Sequence, residues 1–427
     1  MNGWRTWVVS VWCAVAAFGT YFCVYGFRKP FTAAEFADDG LGGFGLKALL
    51  VVAQTLGYCL SKFVGIKVVA EVRPHRRAAL LLALVGVAWL SLLLFAVTPA
   101  PLSALWLFTN GLVLGMVFGL VLGFLEGRRH TEALTAGLCC SFIVADGVMK
   151  SVGAGLVKYA GVSEFWMPFA AGAVFAVPLA VCTWMLAVIP PPTAADVEAR
   201  SERVPMDGGE RWAMFRRYAV GFVLLTVAYL LVTVMRSVRA DFAPEIWKGL
   251  LGTAAPPSVY SWSEVVVAAG VTLAIGVAVL LKDNRRAFFA GLAAATFGAV
   301  LLVAAVAGWQ TGNLGAFPFM VLCGLGLYLP YIAVHTIVFE RLIAMTRERG
   351  NIGYLMYLVD SFGYLGYVGV LIGKRLLTPS DDFLAFFLPL SWVIGIGCVV
   401  LLVPCWWYFA THPATQRVAP APAQVQA

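Results

Sequence analysis

Residues 21–31 read Tyr21-Phe22-Cys23-Val24-Tyr25-Gly26-Phe27-Arg28-Lys29-Pro30-Phe31, and residues 229–244 read Tyr229-Leu230-Leu231-Val232-Thr233-Val234-Met235-Arg236-Ser237-Val238-Arg239-Ala240-Asp241-Phe242-Ala243-Pro244. Each stretch closes a long apolar run on an arginine, with a tyrosine seven residues before it. The offset between the two arginines is 236 − 28 = 208. The same interval recurs along the chain. Arg76-Arg77 and Arg285-Arg286 are 209 apart, Glu126 and Glu340 are 214 apart, and so are Asp146 and Asp360. Charge is rare inside apolar runs because it is costly there. Four coincidences at a slowly drifting offset therefore mark two homologous halves.

The composition says what the halves are made of. Of 427 residues, 61% are hydrophobic and 12% charged, with a mean hydropathy of +0.87. Soluble domains sit nearer 45–50% and about 25%, so a soluble enzyme, a disordered chain and a secreted disulfide scaffold are excluded. Apolar runs fall near 5–27, 46–68, 77–97, 102–125, 134–157, 165–189, 215–236, 259–281, 286–308, 315–338, 351–373 and 384–409. A spanning helix needs about 20 residues, and only helices or closed barrels satisfy every backbone group in lipid. The expected fold class is all-α, a polytopic membrane protein of twelve transmembrane helices in two pseudo-symmetric six-helix bundles. Parallel six-helix repeats with a site between them describe the major facilitator architecture.

The expected domains are a bundle over 1–189, a linker over 190–214, a second bundle over 215–411 and a disordered tail over 412–427. The linker begins Pro190-Pro191-Pro192 and alternates charges, which bars it from lipid. The net charge of +8 lies in short Lys/Arg tracts between runs, the pattern of cytoplasmic loops and not of a nucleic-acid binder. It predicts a multi-pass protein of the inner cell membrane with both termini cytoplasmic. The first run has no cleavage site and reads as a retained helix. All nine cysteines lie in or beside apolar runs without a CxxC, so neither a disulfide framework nor a metal site is expected. No cofactor is expected, and the expected state is a monomer in the lipid bilayer.

Ionisable groups inside spans are the candidate site. Tyr21, Tyr25 and Arg28 share one helix face at i, i+4, i+7, and Tyr229 stands to Arg236 as Tyr21 does to Arg28. A guanidinium holds phosphate or carboxylate through a planar fork, so Arg28 and Arg236 facing each other across a pseudo-twofold axis would clamp a doubly charged group. The competing reading has Arg28 reaching to lipid headgroups. Lys62 either joins the anion site or snorkels. Asp146 and Lys150, at i, i+4, can neutralise each other. Asp360 has no partner on its own helix and is either a proton carrier or the counter-ion of a cation on another helix. Glu264 would pair with a cavity arginine. His335, the only histidine within a span, is a structural residue or a substrate or proton contact. Glu126 beside Arg128, and Glu340 beside Arg341, are expected to form salt bridges that latch one conformation at the cytoplasmic rim.

Several strings together resemble the organophosphate:inorganic phosphate antiporter family of the major facilitator superfamily, which includes glycerol-3-phosphate and hexose-6-phosphate transporters. They are Tyr25-Gly26-Phe27-Arg28-Lys29-Pro30-Phe31, Ser61-Lys62-Phe63, Arg236 followed by Asp241-Phe242-Ala243-Pro244, and Phe362-Gly363-Tyr364-Leu365-Gly366. The resemblance implies that Arg28 and Arg236 bind the substrate phosphate. One departure is Asp146, which stands near where that family carries a functional histidine. The expected function is thus secondary transport of a small anionic substrate, a phosphorylated metabolite, with inorganic phosphate or protons as coupling species. Two alternatives are a proton symporter of a carboxylate or neutral metabolite and a non-transporting sugar-phosphate sensor. No catalytic residues are expected, since His75, His130, His335 and His412 fall in no HExxH, HxxxxD or Ser–His–Asp arrangement.

Overall fold

The computed structural model describes residues 3–36, 45–125, 131–190, 208–281, 283–346, 352–377 and 382–416. These are overwhelmingly helical and contain no strand element. The first half holds α1 (Gly3–Tyr25), α2 (Leu46–Glu71), α3 (Arg77–Val97), α4 (Ala104–Leu114), α5 (Val117–Leu125), α6 (Thr131–Ala160) and α7 (Met167–Ala187). After α8 (Gly208–Arg217) come α9 (Ala219–Asp241), α10 (Ala243–Leu251), α11 (Ser258–Val279), α12 (Asn284–Gln310) and α13 (Ala316–Ala333). A π turn over Val334–Val338 leads into α14 (Phe339–Thr346), and α15 (Ile352–Leu377), α16 (Phe383–Thr411) and α17 (Pro413–Gln416) follow.

Eleven segments, α4–α5 and α13–α14 each counting as one, are long and apolar enough to cross a membrane. With the 26 residues of α15 they make twelve crossings, and the protein is an all-α polytopic membrane protein. An even number of crossings returns the chain to the side on which it began. The two ends of the bundle are therefore a terminal end and an opposite end.

Five local features depart from the sequence reading. The fourth crossing is interrupted between α4 and α5, and the tenth carries Pro330 and the π turn. Helix α10 was not anticipated. It starts at Ala243-Pro244, where a proline fits the first turn, buries Ile246 and Trp247, and stops at Gly252 (φ 71°). The end of the expected 190–214 linker is already helical in α8, whose Phe215 stacks on Phe222 of α9; residues 191–207 lie outside the described residues. The expected tail opens with the short helix α17, where the Thr415 backbone N–H bonds the His412 carbonyl at 3.0 Å.

Two glycines set the frame of the site. A Cβ on Gly57 of α2 would lie 2.0 Å from the Phe108 carbonyl oxygen, and one on Gly111 of α4 would lie 2.0 Å from that of Gln54. The α2 and α4 backbones are thus in direct contact, as small residues permit in lipid. The halves meet along two seams, α2 against α15 and α6 against α11. Moving each helix to its repeat partner, six crossings on or back, exchanges one seam for the other. That is the relation a pseudo-twofold axis requires.

Candidate functional site

Proline decides where α1 stops. Pro30 has no N–H to offer the Gly26 carbonyl and its ring crowds that turn, so residues 26–29 leave the helix as turns. The carbonyls freed there are collected by two buried amides. Asn110 donates to Phe27 O at 3.0 Å and Ala88 O at 3.1 Å, while Gln54 donates to Arg28 O at 3.0 Å and to Asn110 Oδ1 at 2.9 Å. The α2–α4 contact through Gly57 and Gly111 is what brings Gln54 and Asn110 together beneath the break.

The break aims Arg28 between tyrosines. Its guanidinium carbon lies 3.8 Å from the Tyr58 ring centroid and 5.7 Å from that of Tyr25. From the other half, Arg236 lies 4.4 Å from the Tyr331 centroid and donates weakly to Tyr364 Oη at 3.4 Å. Tyr58 and Tyr364 meet edge-on across the α2–α15 seam with centroids 5.2 Å apart. Arg28 and Arg236 are 7% and 8% exposed, and the Nε of each is buried without a hydrogen-bond partner. Among the described residues, neither guanidinium pairs with a carboxylate. Cation–π contact supplies only part of what water or an anion would give a buried guanidinium.

The carboxylate closest in type to a counter-ion is engaged elsewhere. Asp360 of α15 pairs with Lys62 of α2, also across the seam, and accepts from Tyr229 and, at 3.5 Å, from Tyr331. His335, in the π turn, lies with Nδ1 3.1 Å from Tyr229 Oη and Nε2 3.9 Å from Asp360 Oδ1. Its ring stacks on Tyr331 at 4.7 Å. Tyr58, Lys62, Arg236, Tyr331, His335, Asp360 and Tyr364 line one small cavity, with Tyr21 and Tyr25. Three fixed cations, Arg28, Arg236 and Lys62, thus face one carboxylate, Asp360.

Geometry revises two expectations here. Arg28 and Arg236 do converge on one region, but Arg28 is not on the cavity wall; it lies one layer back, behind Tyr58. Tyr229 likewise stands behind Asp360 rather than on the wall.

A second charged cluster lies off the cavity, toward the opposite end. Asp146 pairs with Lys150 on α6, and Lys29 is 4.0 Å from Asp146 Oδ1. Lys29 also bonds Asp241, at the end of α9, which accepts from Tyr367 at 3.0 Å. Glu264 on α11 pairs at 2.8 Å with Arg239, which donates to the Met320 carbonyl at 2.9 Å. The expected partner of Glu264 was a cavity arginine; the actual one, Arg239, is not on the cavity wall but stands three residues further along α9 than Arg236, about 4.5 Å on toward the opposite end.

Nearer the surface of that end, Lys47 bonds Glu245 at 2.5 Å and Thr32 O at 2.9 Å. Burial pushes the Glu245 carboxyl up from its ordinary range, against the pull of Lys47. Lys248 and Glu35 pair at 2.9 Å, both half exposed, which contributes little. At the terminal end, Glu126 and Arg128 lie outside the described residues. Glu340 opens α14, and Arg341 donates to Asn284 at 2.8 Å. That hydrogen bond joins α14 to α12 within one half; the expected latch also needs Glu126 and Arg128, which are not among the described residues.

Tyr58, Tyr331, Tyr364, Lys29, Asp241 and Arg239 were not singled out from sequence. A signal existed for the tyrosines, since each stands one helical turn from an intramembrane ionisable residue: Tyr58 before Lys62, Tyr331 before His335, Tyr364 after Asp360.

A D-xylose-proton symporter of known structure superposes with a TM-score of 0.64, over 96% of this chain and 98% of its own, at 12% sequence identity. At that identity the likeness speaks to the fold alone, which is the major facilitator fold. No match was found among curated proteins. Residues 30–412 match a family of unknown function, DUF5690, and the chain belongs to that family.

Proposed function

We propose that this protein is a secondary transporter that moves a small organic anion, a phosphorylated metabolite, by alternating access. The observation that carries the reading is the pair of buried guanidiniums, Arg28 and Arg236, one from each half and neither paired with a carboxylate among the described residues. Together with Lys62 and Asp360 they leave the centre with an excess of two positive charges, which matches a dianionic phosphate ester. The tyrosine faces that now stack on the guanidiniums are replaceable by a ligand, whereas a carboxylate would not be. Because Arg28 lies behind Tyr58, the anion engages Arg236 first and reaches Arg28 only as Tyr58 yields.

The halves 1–189 and 215–411 would rock about the substrate, opening it to each side in turn. The Lys/Arg tracts support an inner-membrane orientation with both termini cytoplasmic, and a contact between Glu126, Arg128, Glu340 and Arg341 would close that side. The coupling species is inorganic phosphate by exchange, or protons. Asp360 and His335 beside Lys62 favour the proton-coupled form, which also admits a carboxylate substrate. Proteoliposome uptake with inorganic phosphate, glycerol phosphate, sugar phosphates, a dicarboxylate and neutral sugars tests this. Uptake confined to phosphate-bearing compounds is the expected result. Uptake of neutral sugars alone would refute the anion assignment, and binding without flux would identify a sensor.

A further inference from the structure

The α2–α15 seam carries its contacts in one antiparallel register. Tyr58 meets Tyr364 with centroids 5.2 Å apart, Cys59 Sγ lies 3.5 Å from the Ser361 carbonyl oxygen, and Lys62 Nζ lies 2.5 Å from Asp360 Oδ2. On each helix the ionisable residue stands four positions from its tyrosine, so charge and ring share a face. Lys62 and Asp360 are 3% and 5% exposed, yet both are on the wall of the central cavity. One ion pair thus joins the halves and also faces the space a ligand enters.

The two members of the pair are supported unequally. Asp360 has donors from its own half: Tyr229 of α9 and, at 3.5 Å, Tyr331 of α13 both reach Oδ1. His335 Nε2 stands 3.9 Å from the same oxygen. If Lys62 turned away, Asp360 would stay hydrogen-bonded. Lys62 Nζ lies 5.2 Å from the Tyr58 centroid and 5.5 Å from that of Tyr364. These are the rings that carry Arg28 at 3.8 Å and the Arg236 contact at 3.4 Å. An anion held by Arg236 therefore sits beside a ring that Lys62 already touches. The lysine ends in a point charge on a flexible stem that can turn to it.

We propose that Asp360 holds Lys62 in competition with the substrate, so that a dianion, and not a monocarboxylate, draws the lysine off and unlocks the α2–α15 seam. This rests on the anion reading of the site and deepens it, by naming what selects the ligand and what ties its binding to motion of the halves. A monovalent carboxylate offers Lys62 no more charge than Asp360 does, so the exchange gains nothing. A phosphate ester offers two charges. When the ester leaves, Lys62 returns to Asp360 and the seam locks again. The affinity of the empty site is lowered by the fraction of time that Lys62 spends on Asp360.

Titration calorimetry of the full chain in lipid nanodiscs, with inorganic phosphate at mildly alkaline pH and with acetate, compares wild type with Asp360→Asn. Asparagine keeps an acceptor for Tyr229 and frees Lys62. The variant is expected to bind phosphate about tenfold more tightly and to bind acetate where the wild type does not. It should also exchange phosphate more slowly in proteoliposomes, because the seam no longer locks. A pair with a structural role alone would give weaker binding on its loss. In the wild type, alkylation of Cys59 by N-ethylmaleimide, resolved by mass spectrometry, reads the seam without any substitution. Phosphate should speed it severalfold and acetate should not. Unchanged or weaker phosphate binding by a folded Asp360→Asn overturns the proposal, and so does a Cys59 rate that phosphate leaves unchanged. If that variant does not fold, the Cys59 rate decides alone. A wild type that binds no phosphate refutes the anion reading and the proposal with it; wild-type binding without the gain in Asp360→Asn refutes the proposal alone.

Discussion

Arg236 stands on the cavity wall with a buried Nε and a tyrosine face where a carboxylate would ordinarily be. A charge-assisted hydrogen bond to an anion contributes about 1.5–3 kcal/mol, so Arg236→Ala should weaken inorganic phosphate binding roughly ten- to hundredfold. Isothermal titration in detergent measures it. Arg236→Lys keeps the charge but loses the fork and should fall between the two. Lys62→Ala acts differently, by leaving Asp360 buried without its cation. Breaking a buried pair from one side costs roughly 3–5 kcal/mol, read as a lower melting temperature. Lys62→Met with Asp360→Leu should recover most of that loss, since both charges are then gone. The arginines were legible in the sequence because charge in an apolar run is conspicuous and their spacing to Tyr21 and Tyr229 repeats. Tyr58 and Tyr364 were not, because a tyrosine in a span is unremarkable until its neighbour one turn away is known to be charged.

At the scale of the element, the end of α1 and the α2–α4 contact act as one unit. Gln54 and Asn110 hold the carbonyls that Pro30 sets free, so Asn110→Leu should strip Phe27 O and Ala88 O of a donor. An unsatisfied buried acceptor costs about 1–3 kcal/mol, and the loss should appear both in thermal stability and in phosphate binding, because Arg28 rides on the same turn. Gly111→Ala should be worse for stability, since its Cβ would meet a backbone oxygen that cannot yield without moving α2. Differential scanning fluorimetry checks both. Hydrophobic periodicity and run length made the twelve crossings readable. The breaks in the fourth and tenth crossings were not, because Pro330, Gly115 and their neighbours are common inside membrane helices, where nearby side chains re-satisfy the backbone. Helix α10 escaped notice because nine residues after a span read equally well as a loop.

For the whole molecule, the charges separate into two populations. The centre is unbalanced, with three cations against Asp360. The seam toward the opposite end is balanced: Lys29, Lys150 and Arg239 against Asp146, Asp241 and Glu264. A balanced cluster suits contacts that form and break as halves move, whereas an excess of charge suits a ligand. The repeat in the sequence foretold paired positions but not that Asp146 and Asp360, 214 residues apart, would divide between these populations. Asp146 finds Lys150 four residues on, as its spacing foretold, whereas Lys62, the partner of Asp360, and Lys29, 4.0 Å from Asp146, lie far away in sequence and only the fold brings them near. The central claim is that an anion is carried between the halves by Arg28 and Arg236. The most direct test loads proteoliposomes with inorganic phosphate and follows uptake of labelled phosphate and of a labelled sugar phosphate, in wild type, Arg28→Ala and Arg236→Ala. The account predicts exchange in the wild type and a fall of at least about tenfold in each variant. Exchange at wild-type rates in either variant would contradict it.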